Sequence, residues 1–123
     1  MIFVALAEVI EVVDGDTFHA NLDIGWGIML RPRRPQSEGA IRGIGSVRVL
    51  FPDGSPFDAP EVSTFAGRTA RAYARTRVKP GARLEIASYA LDDFGRTLAA
   101  VTLPDGSDWA TEFSARGYVK GSS

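Results

Sequence analysis

Residues 4–22 read VALAEVIEVVDGDTFHANL, and this stretch decides the fold. Val4 to Val13 is rich in β-branched residues and stops at Asp14-Gly15-Asp16, a turn signal of the hairpin type. Beyond the turn, Phe18, Ala20 and Leu22 alternate with Thr17, His19 and Asn21, the two-residue period of a half-buried strand. The stretch predicts a β-hairpin with two aspartates at its tip and His19 on its outer surface.

Downstream, residues 23–46 are rich in Gly, Pro and Arg and break any long regular element, although Gly27–Leu30 could prolong the second strand. Val47–Phe51 reads as a third strand, closed by the turn Pro52-Asp53-Gly54-Ser55-Pro56. A helix is predicted over 64–78, with Ser63 or Thr64 as its N-cap. Phe65, Thr69 and Tyr73, with Ala66, Ala70 and Ala74, form adjoining stripes along it, and Arg68, Arg71, Arg75 and Arg77 form its solvated face. Pro80-Gly81 ends it. Ala82–Tyr89 and Thr97–Leu103 are two more strands. Pro104-Asp105-Gly106 then turns into a short helix capped by Ser107 or Asp108, with Trp109, Ala110 and Phe113 as core and Gly117 as its stop. The order β-β-β-α-β-β-α predicts a mainly β (α+β) domain, a five-stranded barrel of the OB type with two helices. One domain over 1–123 with a Gly/Arg-rich insertion at about 23–46 is the expected organisation.

Composition limits the chemistry. The 123 residues include no Cys and one His. Disulfides, thiolate metal sites, cysteine nucleophiles and sites needing two imidazoles are thereby excluded. The net charge of −1 conceals a division. Residues 1–23 hold five acids and no base, residues 24–84 hold eleven bases against four acids, and residues 85–123 are again acidic. A basic middle between acidic ends suits local phosphate binding. Twelve of the fourteen bases are Arg, the residue whose planar fork fits phosphate, although codon usage would give the same bias. The apolar start lacks a positive leader and is interrupted by Glu8 and Glu11, so no signal peptide or membrane span is expected, and a cytoplasmic protein follows.

Four features carry possible chemistry: Asp14-Gly15-Asp16-Thr17, Asp58-Ala59-Pro60-Glu61, Asp92-Asp93-Phe94-Gly95-Arg96, and Arg48. Each alone is commonplace. Together, two carboxylate loops could converge on a hard cation, two arginines could meet a phosphate oxyanion, and a glutamate could orient water.

The succession VVDGDT, DAPE, a helix with an AG-R pattern, DDFGRTLA, then PDG and a short helix ending in Gly resembles the staphylococcal nuclease-like (thermonuclease) family from about Val9 to Gly117. The resemblance implies an OB barrel with nuclease activity on DNA or RNA, by metal-assisted in-line attack of water with the 5′ oxygen leaving. It implies Asp16, Asp58 and the Ala59 carbonyl as ligands of Ca²⁺ (or Mg²⁺ or Mn²⁺). Asp14 would support that site through water, and Thr17 would fix its geometry. Glu61 would be the general base, and Arg48 and Arg96 would contact the phosphate.

The chain departs from the family pattern in places. Nine residues separate Arg48 from Asp58 where the family has four, so Arg31, Arg33 or Arg34 could take the place of Arg48. Asp93 and Phe94 stand where a basic residue and a tyrosine occur in the best-known member. The family's C-terminal helix and its stacking tyrosines are not matched. The 23–46 segment, with Trp26, Arg31, Arg33, Arg34 and Arg42, could stack bases and bind phosphate; equally, it could be a solvated loop with Trp26 against the barrel. Rival readings are an OB-fold nucleic-acid-binding module without activity, and a structural or assembly protein of a virus or mobile element. A monomer acting on nucleic acid, away from membranes, is the expected state.

Overall fold

The computed structural model describes residues 3–23, 43–91 and 95–120. Most of the insertion, including Trp26, Arg31, Arg33, Arg34 and Arg42, lies outside the described residues, as does Asp92-Asp93-Phe94. Strand β1 (Phe3–Asp14) turns through Gly15-Asp16 into β2 (Thr17–Asp23). Strand β3 (Gly43–Leu50) precedes helix α1 (Phe65–Arg77), then come β4 (Arg83–Leu91), β5 (Thr97–Thr102) and helix α2 (Trp109–Ala115). The strands form a closed barrel in the order β1-β2-β3-β5-β4, with β3 and β5 parallel and the other pairs antiparallel. This is the OB-like mainly β barrel with two helices that the element order predicts.

Closure depends on β1, which is long enough to serve two neighbours. Its first half pairs with β4 from Phe3↔Ser88 to Glu8↔Arg83, and its second half pairs with β2 from Leu6↔Asp23 to Asp14↔Thr17. The register shifts between Val9 and Glu11 and again between Val12 and Asp14. Such irregularities bend a strand around a barrel, and the second immediately precedes the aspartate turn. Strand β3 begins earlier than its β-branched run suggests, because Gly43–Ser46 pairs with Leu22–His19. The last four residues of the proposed insertion are therefore strand.

Inward-facing Val12, Phe18, Leu22, Val47, Val49, Leu84, Ile86 and Val101 fill the barrel, with alanines where space is narrow. Trp109 stacks on Phe18 at 5.3 Å between ring centroids, and its indole N–H donates to the Gly15 carbonyl at 2.9 Å. A buried indole with its one donor satisfied plugs the barrel and holds the aspartate turn at once. Trp109 also stacks on Phe113, which meets Phe57 and Tyr73 edge-on.

Helix α1 starts at the N-cap Thr64, whose hydroxyl accepts from Gly67 N–H at 2.9 Å. Its buried face is Gly67, Ala70 and Ala74. Phe65 and Ala66 do not join that face; both are exposed. The helix arginines are not simply solvated either. Arg75 donates to the Val12 carbonyl at 3.0 Å, and Arg77 grips Glu112 of α2 through Nε at 2.6 Å and Nη2 at 2.8 Å. Arg77 also reaches Asp105 at 2.9 Å. Among the described residues no helix is long and apolar enough to cross a membrane.

Candidate active site

The aspartate turn needs glycine for space, not for backbone freedom. A Cβ on Gly15 would lie 2.7 Å from Ala59 Cβ and 3.1 Å from Ala70 Cβ. The turn, the Asp58-Ala59-Pro60-Glu61 loop and α1 are thus pressed together at one point. Gly67 acts likewise on the far side of that loop: a Cβ there would fall 1.8 Å from the Glu61 carbonyl oxygen. The spacing between DAPE and the AG-R helix start is therefore a packing requirement.

Asp16 is only 8% exposed. One carboxylate oxygen accepts from the Ala59 N–H at 2.8 Å and lies 2.9 Å from Arg48 Nη1. The other accepts from the Thr17 hydroxyl at 2.9 Å. Asp14 accepts from the Asp16 backbone N–H at 3.0 Å. Burial, and then hydrogen bonding and repulsion from the neighbouring Asp14 carboxyl, push the Asp16 carboxyl up to about 6, against the lowering effects of Ala59 N–H and Arg48. Burial thus outweighs the arginine beside Asp16.

Arg48 pairs across β2 with Thr17 and across β5 with Leu98. Both neighbours of Arg48 on its strand, Val47 and Val49, are buried, so its side chain leaves the barrel on the outer face. There its guanidinium donates to the Phe57 carbonyl at 2.6 Å and pairs with both Asp16 and Asp58. The long spacing between Arg48 and Asp58 is absorbed by a self-closed turn. Phe51 N–H donates to the Ser55 carbonyl at 2.9 Å, Gly54 N–H to the Phe51 carbonyl at 2.8 Å, and Leu50 bridges Pro56. The extra residues fold onto themselves, and the chain resumes within reach of Arg48.

Glu61 is exposed, 3.2 Å from the Lys120 ammonium. Lys120 also donates its backbone N–H to the Asp58 carbonyl at 2.7 Å, so the segment after α2 is tied to this loop twice. Arg96 is half-buried immediately before β5, on the same outward parity as Arg48, since Thr97 between it and Leu98 is buried. The structure thus brings Asp14, Asp16, Thr17, Arg48, Asp58 and Ala59 together, with Glu61 three residues on. Sequence reasoning missed Lys120 because nothing in a lone lysine near Gly117 signals a return to a loop some sixty residues earlier.

The donor set suits a hard cation. Two carboxylates already converge on one positive group, the Arg48 guanidinium, and every candidate ligand is an oxygen. Among the described residues no three His, Asp or Glu side chains form a ready-made cage. The protein's share would be Asp16, Asp58 and the Ala59 carbonyl, with Asp14 behind and water completing the shell. Compared with protein families and with curated sequences, the chain matches no family model and no curated protein.

Proposed function

We propose that this protein is a metal-dependent nuclease that hydrolyses phosphodiester bonds of DNA or RNA. The observation that carries the reading is the convergence of Asp16 and Asp58, from two separate loops, on Arg48 at one end of the barrel. The ordered motifs that resemble the staphylococcal nuclease-like family support it. Asp16, Asp58 and the Ala59 carbonyl would hold Ca²⁺, or Mg²⁺ or Mn²⁺, which share its preference for oxygen. When bound, the ion supplies positive charge to a phosphate oxygen and acidifies a nearby water. Glu61 takes the proton of the attacking water, releasing Lys120 as it does so. Arg48 and Arg96 donate to the non-bridging oxygens as charge builds on them, and the 5′ oxygen leaves in line, taking a proton from solvent water. For Arg48 to turn to the substrate it must leave Asp16 and Asp58, which is favourable once another cation neutralises them.

The test is cleavage of single-stranded DNA and RNA in Ca²⁺, with EDTA abolishing it. Glu61→Gln and Arg96→Ala should each lower turnover by about 10²–10⁴-fold while circular dichroism stays unchanged. A second reading, an OB-like nucleic-acid-binding barrel without catalysis, draws on Arg48 itself, which already pairs with both carboxylates. No cleavage in Ca²⁺, Mg²⁺ or Mn²⁺, with oligonucleotide binding retained, selects that second reading.

A further inference from the structure

Phe65 is 79% exposed. Phe18, Phe57, Phe113 and Trp109 are fully buried, and Phe51, Tyr73 and Tyr118 pack against the core. Single exposed apolar residues are ordinary on protein surfaces, so exposure alone says nothing. Position and mounting say more. Phe65 is the first residue of α1, four residues after Glu61, and phenylalanine is a poor helix former with no packing gain there. Its mount is rigid and fixed to Glu61. Thr64 donates to the Glu61 carbonyl through both its backbone N–H at 2.9 Å and its hydroxyl at 2.6 Å. Gly67, two residues on, sits against that same carbonyl with no space for a side chain. One turn along, Arg68 folds its guanidinium back to the Ser63 carbonyl at 3.2 Å, and its three-residue spacing from Phe65 puts the two on the same side of the helix.

We infer that Phe65 is a base-stacking subsite for single-stranded nucleic acid, with Arg68 meeting the adjoining phosphate. The inference rests on the nuclease reading for its substrate class and adds a residue to it. An exposed aromatic on a rigid support beside a cation is the combination with which proteins hold unpaired bases, because every base has a face to stack and every nucleotide a charge to neutralise. Phe65 follows Glu61 by four residues, with Arg68 one turn further along α1, so a base on Phe65 would set which phosphodiester lies against the carboxylates. A duplex, whose bases are already stacked, gains nothing from the ring, and single strands are therefore the favoured substrate.

The experiment uses the full chain carrying Glu61→Gln, so that substrate survives, with Ca²⁺ and two fluorescein-labelled eight-nucleotide probes, oligo-dT and its abasic counterpart. Binding of oligo-dT should exceed binding of the abasic probe by about tenfold. Adding Phe65→Ala should erase that preference to within about twofold, whereas Phe65→Trp should keep or raise it. Unchanged preference in Phe65→Ala overturns the inference. So does an equal loss for both probes, or no binding of either. Thermal unfolding of Phe65→Ala should match the parent, since the ring buries little. The two readings fail separately. Base preference that depends on Phe65 in a protein with no cleavage supports the subsite and removes the nuclease. Cleavage of single strands by Phe65→Ala at parental KM removes the subsite and leaves the nuclease.

Discussion

Two arginines in this protein each face two carboxylates, and the contrast separates scaffold from site. Arg77 holds Glu112 with two nitrogens and Asp105 with one of them, joining α1 to α2 and to the turn before it. Its partners are satisfied on every side: Tyr73 donates to Glu112 at 2.5 Å, and Ser107 donates to Asp105 through both backbone and hydroxyl. Arg77 holds the Glu112 carboxyl below its ordinary value, and Ser107, assisted by Arg77, holds Asp105 down at about 2. Arg48 faces Asp16 and Asp58 at similar range, yet Asp16 is driven up to about 6 by burial and by Asp14. The hydrogen-bonded network around Arg77 lowers its carboxylates, whereas burial and the neighbouring Asp14 raise Asp16 in spite of Arg48. The two clusters look alike in their ion pairs and differ in burial.

The largest expected effect comes from exchanging the two arginines for methionine. Arg48→Met should cut nuclease turnover by roughly 10²–10³-fold, while Arg77→Met should stay within a few-fold of the parent in the same cleavage assay. In urea the two variants should also differ. Breaking the Arg77 network should cost about 1–3 kcal/mol with or without metal. The loss in Arg48→Met should be recovered on adding Ca²⁺, which replaces the missing charge. Equal Ca²⁺ dependence in both variants would erase the distinction between site and scaffold.

Acid sharpens the comparison, because the two clusters respond in opposite directions. Asp105 and Glu112 have folded pKa values below their unfolded ones, so the stability they give is present above about pH 4.5 and is lost as pH falls towards 2. Asp16 has a raised folded pKa. Its contribution is fully present below its unfolded value of 3.8 and is lost as pH rises through about 6. Stability measured against pH without metal should therefore flatten on its acid side in Arg77→Met and on its neutral side in Asp16→Asn. Parallel curves for parent and variants would show that neither cluster is linked to folding.

The smallest effect concerns two turns of the same design. Pro52-Asp53-Gly54-Ser55 and Pro104-Asp105-Gly106-Ser107 share an aspartate that accepts from the serine N–H and hydroxyl, and a glycine at φ 88° and 93°. One leads to Asp58 and the other to α2. Alanine at Gly106 meets open space and pays only for its backbone, about 1–2 kcal/mol. Alanine at Gly54 would also press on the Tyr89 ring at 3.1–3.2 Å, so its thermal midpoint should fall further. A smaller fall at Gly54 would mean that the Tyr89 ring, whose hydroxyl donates to the Pro52 carbonyl, moves aside freely.

Much of this was legible in the sequence. Strand periods, the paired cap candidates Ser63 or Thr64 and Ser107 or Asp108, and the Gly117 stop set the element order, because each is a local choice with a local cause; the structure selects Thr64 and Asp108. Motif order singles out both aspartate loops and Arg48, and these residues meet at one end of the barrel. The nine-residue gap before Asp58 obscured the register of Arg48, since a turn that closes on itself adds length without adding reach. The adjoining stripes of aromatic and small residues on α1 do not reveal which of them is pressed on β1, and Phe65 proves exposed. There the deciding feature is the small surface of Gly67, Ala70 and Ala74, sized to admit Gly15 and Ala59. Lys120 carries no pattern at all. Its role comes from where α2 ends, which is a property of the assembled barrel.

Lys120 has a consequence for how the carboxylate cluster is assembled. The Gly15 carbonyl accepts from Trp109 and the Asp58 carbonyl accepts from Lys120, partners far along the chain from the loops they hold. Contacts of such sequence separation close large loops, and that entropy is lost before the bonds can form. The surroundings of Asp16 and Asp58 are therefore completed by the closing of the whole barrel and not by local structure.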